Sequence, residues 1–209
     1  MNTFTEQTRT LIVGGTSGIG KAVADALSER PGKVVAVSRA TGLDVSDAKA
    51  VCAYVRENGP FDHLVFTAGS AAPGGAVTDV DLQAARAAFD TKFWGGINVV
   101  RAVAQKMPAG GTITLTSGFL ARRTVPGTFV KTAMNAAIEA SAKILAKELA
   151  PIRVNVVSPG LTDTEAYAGM PEEARKAMLE ATAAKLPVAG SVEPGTLPGA
   201  TCWPSTPPS

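Results

Sequence analysis

The chain has 209 residues, 45% of them hydrophobic and 5% aromatic, enough for one domain whose core packs Ala, Val and Leu rather than rings. Its 20 Lys and Arg against 18 Asp and Glu leave a formal charge of +2, and the basic residues are scattered, so no nucleic-acid or membrane-surface patch is indicated. No run approaches the ~18 apolar residues of a membrane span, and MNTFTEQTRT lacks the build of a signal peptide. Cys52 and Cys202 have no metal-ligand spacing, so no metal is expected, and a reduced, cytoplasmic setting is.

In chain order, a first strand is expected over 10–14. It opens into a loop with Gly14, Gly15, Gly18 and Gly20, and a helical pattern takes over at 18–29. Strand, glycine turn and helix together present backbone N–H groups and a positive helix end to a pyrophosphate. The glycines allow a tight turn, close approach of backbone to phosphate, and close contact between helix and strand. Nucleotide binding is therefore the first functional expectation. A second strand, KVVAV at 33–37, runs into Ser38 and Arg39. An acid near this point would bind a ribose 2′-hydroxyl, whereas an arginine fork suits a 2′-phosphate. NADP is thus favoured, with NAD as the alternative.

Helices are expected next over 46–58, 81–106, 128–149 and 171–185, and strands over 62–67, 111–116 and 152–157. Apolar strands alternating with helices call for a parallel α/β sheet covered on both faces. The sole histidine, His63, begins the strand-like HLVF and reads as structural, which argues against a histidine-based triad. Neither an internal repeat nor a linker appears, so residues 1–192 form one domain. From 193 to 209 the composition collapses into Pro, Gly, Ser and Thr, a tail that should not pack.

The loop spacing is Gly-x3-Gly-x-Gly, and with Ile19 it resembles the short-chain dehydrogenase/reductase family over residues 10–192. The resemblance implies a Rossmann-type doubly wound sheet. It also implies cofactor contacts at Gly14, Thr16, Ser17, Gly18, Ile19 and Gly20, and at Ser38 and Arg39. Asp44 and Val45 resemble the family's adenine-contacting pair. In FTAGS, Ala68 and Gly69 match the family's Asn-Asn-Ala-Gly, while Phe66 and Thr67 depart from it. Pro159, Gly160 and Thr164 match the signature beside the nicotinamide. The stretch SRATGLDVSD leaves no room for the family's helix, so a short third strand around Gly42 to Asp44 should be reached by a bare loop. Helices 81–106 and 128–149 resemble those that pair across family dimers, which implies a homo-oligomer.

The catalytic positions depart from the family. Ser117 fits the serine that hydrogen-bonds the substrate oxygen. Lys131 stands where the proton-transferring tyrosine belongs, Asn135 where the lysine belongs, and Lys92 where the asparagine belongs. Lysine and tyrosine have similar free pKa values, about 10.4 and 10. A partly buried Lys131 beside Lys92 and an oxidised nicotinamide would be lowered toward acid/base duty. Asn135 would take over ribose or water contacts. The expected activity is hydride transfer between NADP(H) and a small carbonyl or alcohol. The alternatives are a nucleotide-binding sensor or partner subunit without redox turnover, and a lysine-based dehydration or isomerisation. The segment after the last strand, from LTDTEAY onward, is expected to be a lid over the substrate.

The tail admits a further expectation. Read one base out of register from the Gly195 codon, TLPGATCWPSTPPS can encode Asp-Ile-Ala-Arg-Gly-Tyr-Leu-Leu-Ala-Ile-Asp-Ser-Pro-Phe. That string opens as the family's next helix does. A single-base slip that removes the final strand is therefore expected, with a natural disordered tail as the alternative.

Overall fold

The computed structural model describes residues 4–69 and 72–184. Strand β1 (Arg9–Val13) leads through the glycine loop into α1 (Gly18–Ser28), then β2 (Lys33–Val37), α2 (Ala48–Asn58) and β3 (His63–Phe66). A long helix follows in three parts: α3 (Leu82–Phe89), a π turn (Asp90–Trp94) and α4 (Gly95–Ala104). Strand β4 (Thr112–Thr116), helix α5 (Phe129–Glu148), β5 (Arg153–Val157) and α6 (Glu172–Ala183) complete the described chain. Among the described residues, no helix is long and apolar enough to cross a membrane.

The five strands pair in parallel in the order β2-β1-β3-β4-β5. The order reverses direction at β1, which has β2 on one side and β3 on the other. Val13 pairs with Val37 and with Phe66, so these strands end level with one another. Such a switch point opens a crevice at the carboxyl edge of a doubly wound sheet. Successive β1 side chains face opposite ways. Leu11 and Val13 join the core built with Val51, Val99 and Ile138, from α2, α4 and α5. Ile12 joins Ala24 and Leu27 of α1 on the other face. Burial on both faces is the reason the strands read as unbroken apolar runs. Truncating Leu11 to Ala would cost about 2–5 kcal/mol.

Helix starts differ in a way that bears on the site. Asp47 caps α2 by accepting from the N–H groups of Lys49 and Ala50, and Asp81 caps α3 through Gln83 and Ala84. Ser17 gives α1 no such side-chain cap.

The strand expected around Gly42 to Asp44 does not form. A 3-10 turn (Arg39–Thr41) follows β2, closed by reciprocal side-chain bonds between Ser38 and Thr41. Gly42 then takes a left-handed conformation (φ +96°), and the Leu43 N–H turns back to the Ser38 carbonyl. Leu43 and Val45 still bury their side chains, so the apolar pattern reflects anchoring of a loop rather than sheet pairing. The frame-slip reading of the tail, and with it the expected loss of a final strand, lies outside the described residues.

Candidate functional site

A cleft of about 710 Å³ opens at the carboxyl edge, between the glycine loop, the β2 end and the β3 end. Thirteen of the fifteen residues expected to hold a cofactor line it. These are Gly14, Thr16, Ser17, Gly18, Ile19 and Gly20 of the loop, Ser38, Arg39, Asp44 and Val45 beyond β2, Ala68 and Gly69 beyond β3, and Thr164. Pro159 and Gly160 follow β5, outside this lining.

Close contact shapes the loop. Gly14 has φ +85°, and a Cβ on Gly20 would stand 2.1 Å from the Gly14 carbonyl oxygen, so helix and loop touch backbone to backbone. The Thr67 hydroxyl donates to the carbonyls of Val13 (3.1 Å) and Gly14 (3.2 Å), fastening the loop to β3. Nothing in the sequence signals this role for Thr67. The Thr16 hydroxyl donates to Ser38 Oγ at 2.8 Å. Asp44 accepts from the N–H and hydroxyl of Ser46; those bonds, with the nearby Arg39 charge, hold its carboxyl below the usual range.

The Gly18 N–H already has an anionic partner, the Glu165 carboxylate at 2.8 Å. A main-chain hydrogen bond from its own N–H, then that of Gly18, holds the Glu165 carboxyl below its ordinary value. The carboxylate stands in for a phosphate oxygen, so the start of α1 accepts an anion. With Arg39 at the mouth and the glycine contacts, the residues present fit a phosphorylated dinucleotide. No signal in the sequence singled out Glu165 beyond its place directly after Thr164.

The other polar group lies along α5. Lys131, Asn135 and Glu139 are spaced four apart and share one face. Lys92 Nζ donates to Asn135 Oδ1 at 2.7 Å and to the Ser117 carbonyl at 3.2 Å. Lys92 and Asn135 are thus joined directly. Burial lowers Lys92 from 10.5 to about 8. Lys92 sits in the π turn, where the Gly95 N–H reaches five residues back to the Asp90 carbonyl. Such wide turns often mark functional positions in helices. Lys131 is exposed, in the first turn of α5, in place of the partial burial expected for it. Of the two lysines, it is Lys92 that the fold encloses.

Ser117 is buried, and its hydroxyl lies 3.0 Å from the Asn135 carbonyl and 3.3 Å from Glu139 Oε1. The same Glu139 oxygen accepts from Ser158 at 2.5 Å, and Oε2 accepts from Arg122 Nε at 2.9 Å. The Ser158 bond, then Arg122 and Ser117, hold the Glu139 carboxyl below its usual range against an opposing effect of burial. Sequence reading missed Glu139; its four-residue step from Asn135 is the signal that could have found it. His63 bonds Thr112 within the sheet, as a structural residue would.

Comparison with known proteins agrees with this fold. A family model described as enoyl-(acyl carrier protein) reductase matches residues 38–203. A small-chain dehydrogenase crystallised in complex with NADPH is 53% identical, with a TM-score of 0.87 over 90% of this chain and 86% of that one. D-erythrulose reductase of Gallus gallus is 32% identical over 178 residues, 75% of this chain and 72% of the relative. The short-chain dehydrogenase/reductase ucsE of Acremonium sp is 29% identical over 214 residues, 85% and 81% of the two chains. The chain belongs to the short-chain dehydrogenase/reductase family, whose sheet and cofactor cleft it shares.

Proposed function

We propose that the protein is an NADP(H)-dependent oxidoreductase acting on a small carbonyl or alcohol. One observation carries the reading: the cleft at the sheet's switch point joins an anion-accepting helix start to an arginine at the end of β2. The NADPH complex of the relative at 53% identity supports the same cofactor. The bound dinucleotide would supply or accept the hydride, and the chain's residues do the rest. Gly18 and its neighbours hold the pyrophosphate by backbone N–H groups, and Arg39 takes the 2′-phosphate.

In this reading Lys131 delivers the proton in the reducing direction. Its exposure leaves it free to reach substrate and exchange protons with water. Asn135, one turn along α5 from Lys131, has its side-chain oxygen committed to the Lys92 ammonium. That ammonium has three N–H donors for two acceptors. Losing one proton near pH 8 therefore leaves both hydrogen bonds intact. Ser117 has one proton, shared between the Asn135 carbonyl and Glu139, and can redirect it to a substrate oxygen. Exposed Trp94, Phe129 and Ile144, on the π turn and α5, support a homo-oligomer. A solution mass equal to one chain would count against that.

NADPH oxidation with a panel of small aldehydes and ketones tests the function. Consumption with at least one of them is expected. Tight NADPH binding with no consumption anywhere would favour the non-redox sensor instead.

A further inference from the structure

Helices α2 and α3 each begin on an aspartate of their own, which satisfies first-turn N–H groups. Helix α1 lacks such a cap, and the donor at its start is met by a carboxylate from 147 residues away. Glu165 opens the 3-10 turn Glu165–Tyr167, and its Oε2 receives the Gly18 N–H at 2.8 Å. The adjoining Thr164 closes over the same glycine, its methyl 3.4 Å from where a side chain on Gly18 would begin. Two residues back, Asp163 is held by Arg175 of α6, Nε to Oδ1 at 2.6 Å. The start of α1, the strap 163–165 and α6 are thus joined in series.

We infer that Glu165 is an internal competitor for the cofactor pyrophosphate and sets cofactor affinity. The inference rests on the NADP reading of the cleft. A helix start concentrates its positive potential within the first turn, and the Gly18 N–H can make one good hydrogen bond at a time. A carboxylate and a pyrophosphate placed there together would repel at close range. Glu165 is tethered, so it reaches the donor without the entropy cost of a second molecule. It is also exposed, so a displaced carboxylate is rehydrated at little cost. The cofactor meets the same helix start with a doubly charged group and holds on elsewhere through Arg39. It therefore wins the seat, but with an affinity reduced by the fraction of molecules in which Glu165 occupies it.

Titration of the full chain with NADPH, beside Glu165→Gln and Glu165→Ala, tests this. Both variants should bind NADPH about two- to five-fold more tightly, the size of a carboxylate's interaction with an exposed helix start. Adenosine 2′-monophosphate, which keeps the 2′-phosphate and lacks the pyrophosphate, should bind all three proteins equally by calorimetry. Without cofactor, the amides of 163–167 should exchange hydrogen faster in Glu165→Gln than in the parent. Unchanged NADPH affinity overturns the competitor, and so does an equal gain for adenosine 2′-monophosphate, which would make Glu165 a general surface charge. Failure of NADPH to bind any of the three overturns the cofactor reading itself and the competitor with it.

Discussion

The glycine loop and the α5 face hold their polar groups by different means. In the loop, the working atoms are backbone N–H groups, and a Cβ on Gly20 would stand 2.1 Å from the Gly14 carbonyl oxygen, which leaves no latitude in their placement. Along α5, the working atoms belong to side chains that satisfy one another: Lys92 on Asn135, Ser117 on Glu139, Glu139 on Ser158 and Arg122. A site made of backbone tolerates little substitution and keeps its spacing. A site made of a side-chain network depends instead on each buried group finding a partner.

That contrast can be broken or sharpened by substitution. The largest effect is expected at the proposed proton donor. Lys131→Ala should lower kcat for carbonyl reduction by about 10²- to 10⁴-fold. NADPH affinity should stay within error, because the loop is untouched; a parallel loss of binding would mean that the two regions are not separable. Next comes Arg39→Asp, which should weaken NADPH binding by about 10- to 100-fold, as expected for charge-assisted hydrogen bonds. NADH binding should change far less in the same titration. Equal losses for both would remove Arg39 from the 2′-phosphate.

Glu139→Gln keeps the shape of the network and removes its charge. A decrease of about 2- to 10-fold in kcat is expected, with NADPH affinity unchanged, since Gln has one acceptor oxygen for the donors that Glu139 meets with two, so either Arg122 or the Ser117–Ser158 pair loses its acceptor. Lys92 gives the smallest effect, readable in pH. Its folded value of about 8 lies below its ordinary 10.5. Between those values the unfolded chain binds more protons, so its contribution to stability rises with pH across that window. Thermal melts over pH 8 to 10.5 should therefore show a gain in the parent, relative to Lys92→Met, that is absent below pH 8.

Much of the fold was legible because burial on both faces of β1 and β4 writes itself as apolar runs, and glycine spacing records backbone contact. Leu43 and Val45 show the limit. They carry the apolar pattern of a strand yet anchor a loop, since Gly42 at φ +96° turns the backbone away from β2. The cleft lining was readable for the same reason as the loop, because it follows from short-range spacing. The α5 network was readable only in part. Lys92, Ser117 and Asn135 are brought together from three elements, and Glu139 gains its meaning from Ser158 and Arg122, which lie on other segments. Glu165 was silent, because its partner is a main-chain N–H distant in sequence.

The π turn at Asp90–Trp94 amounts to one residue more than an α-helix would use over the same rise. Each residue advances a helix by about 100°. The insertion therefore resets the angular phase between α3 and α4: Ala85 of α3 packs with Val80 and Val130, whereas Val99 and Val103 of α4 join the sheet core. Deleting one residue there would not simply shorten the helix. The segment would regain regular winding, and either Ala85 or the valine stripe would swing away from its present neighbours. The turn thus acts as a spacer in rotation, and the residue number between Ala85 and the α4 core is itself a constraint that substitutions leave intact and single deletions do not.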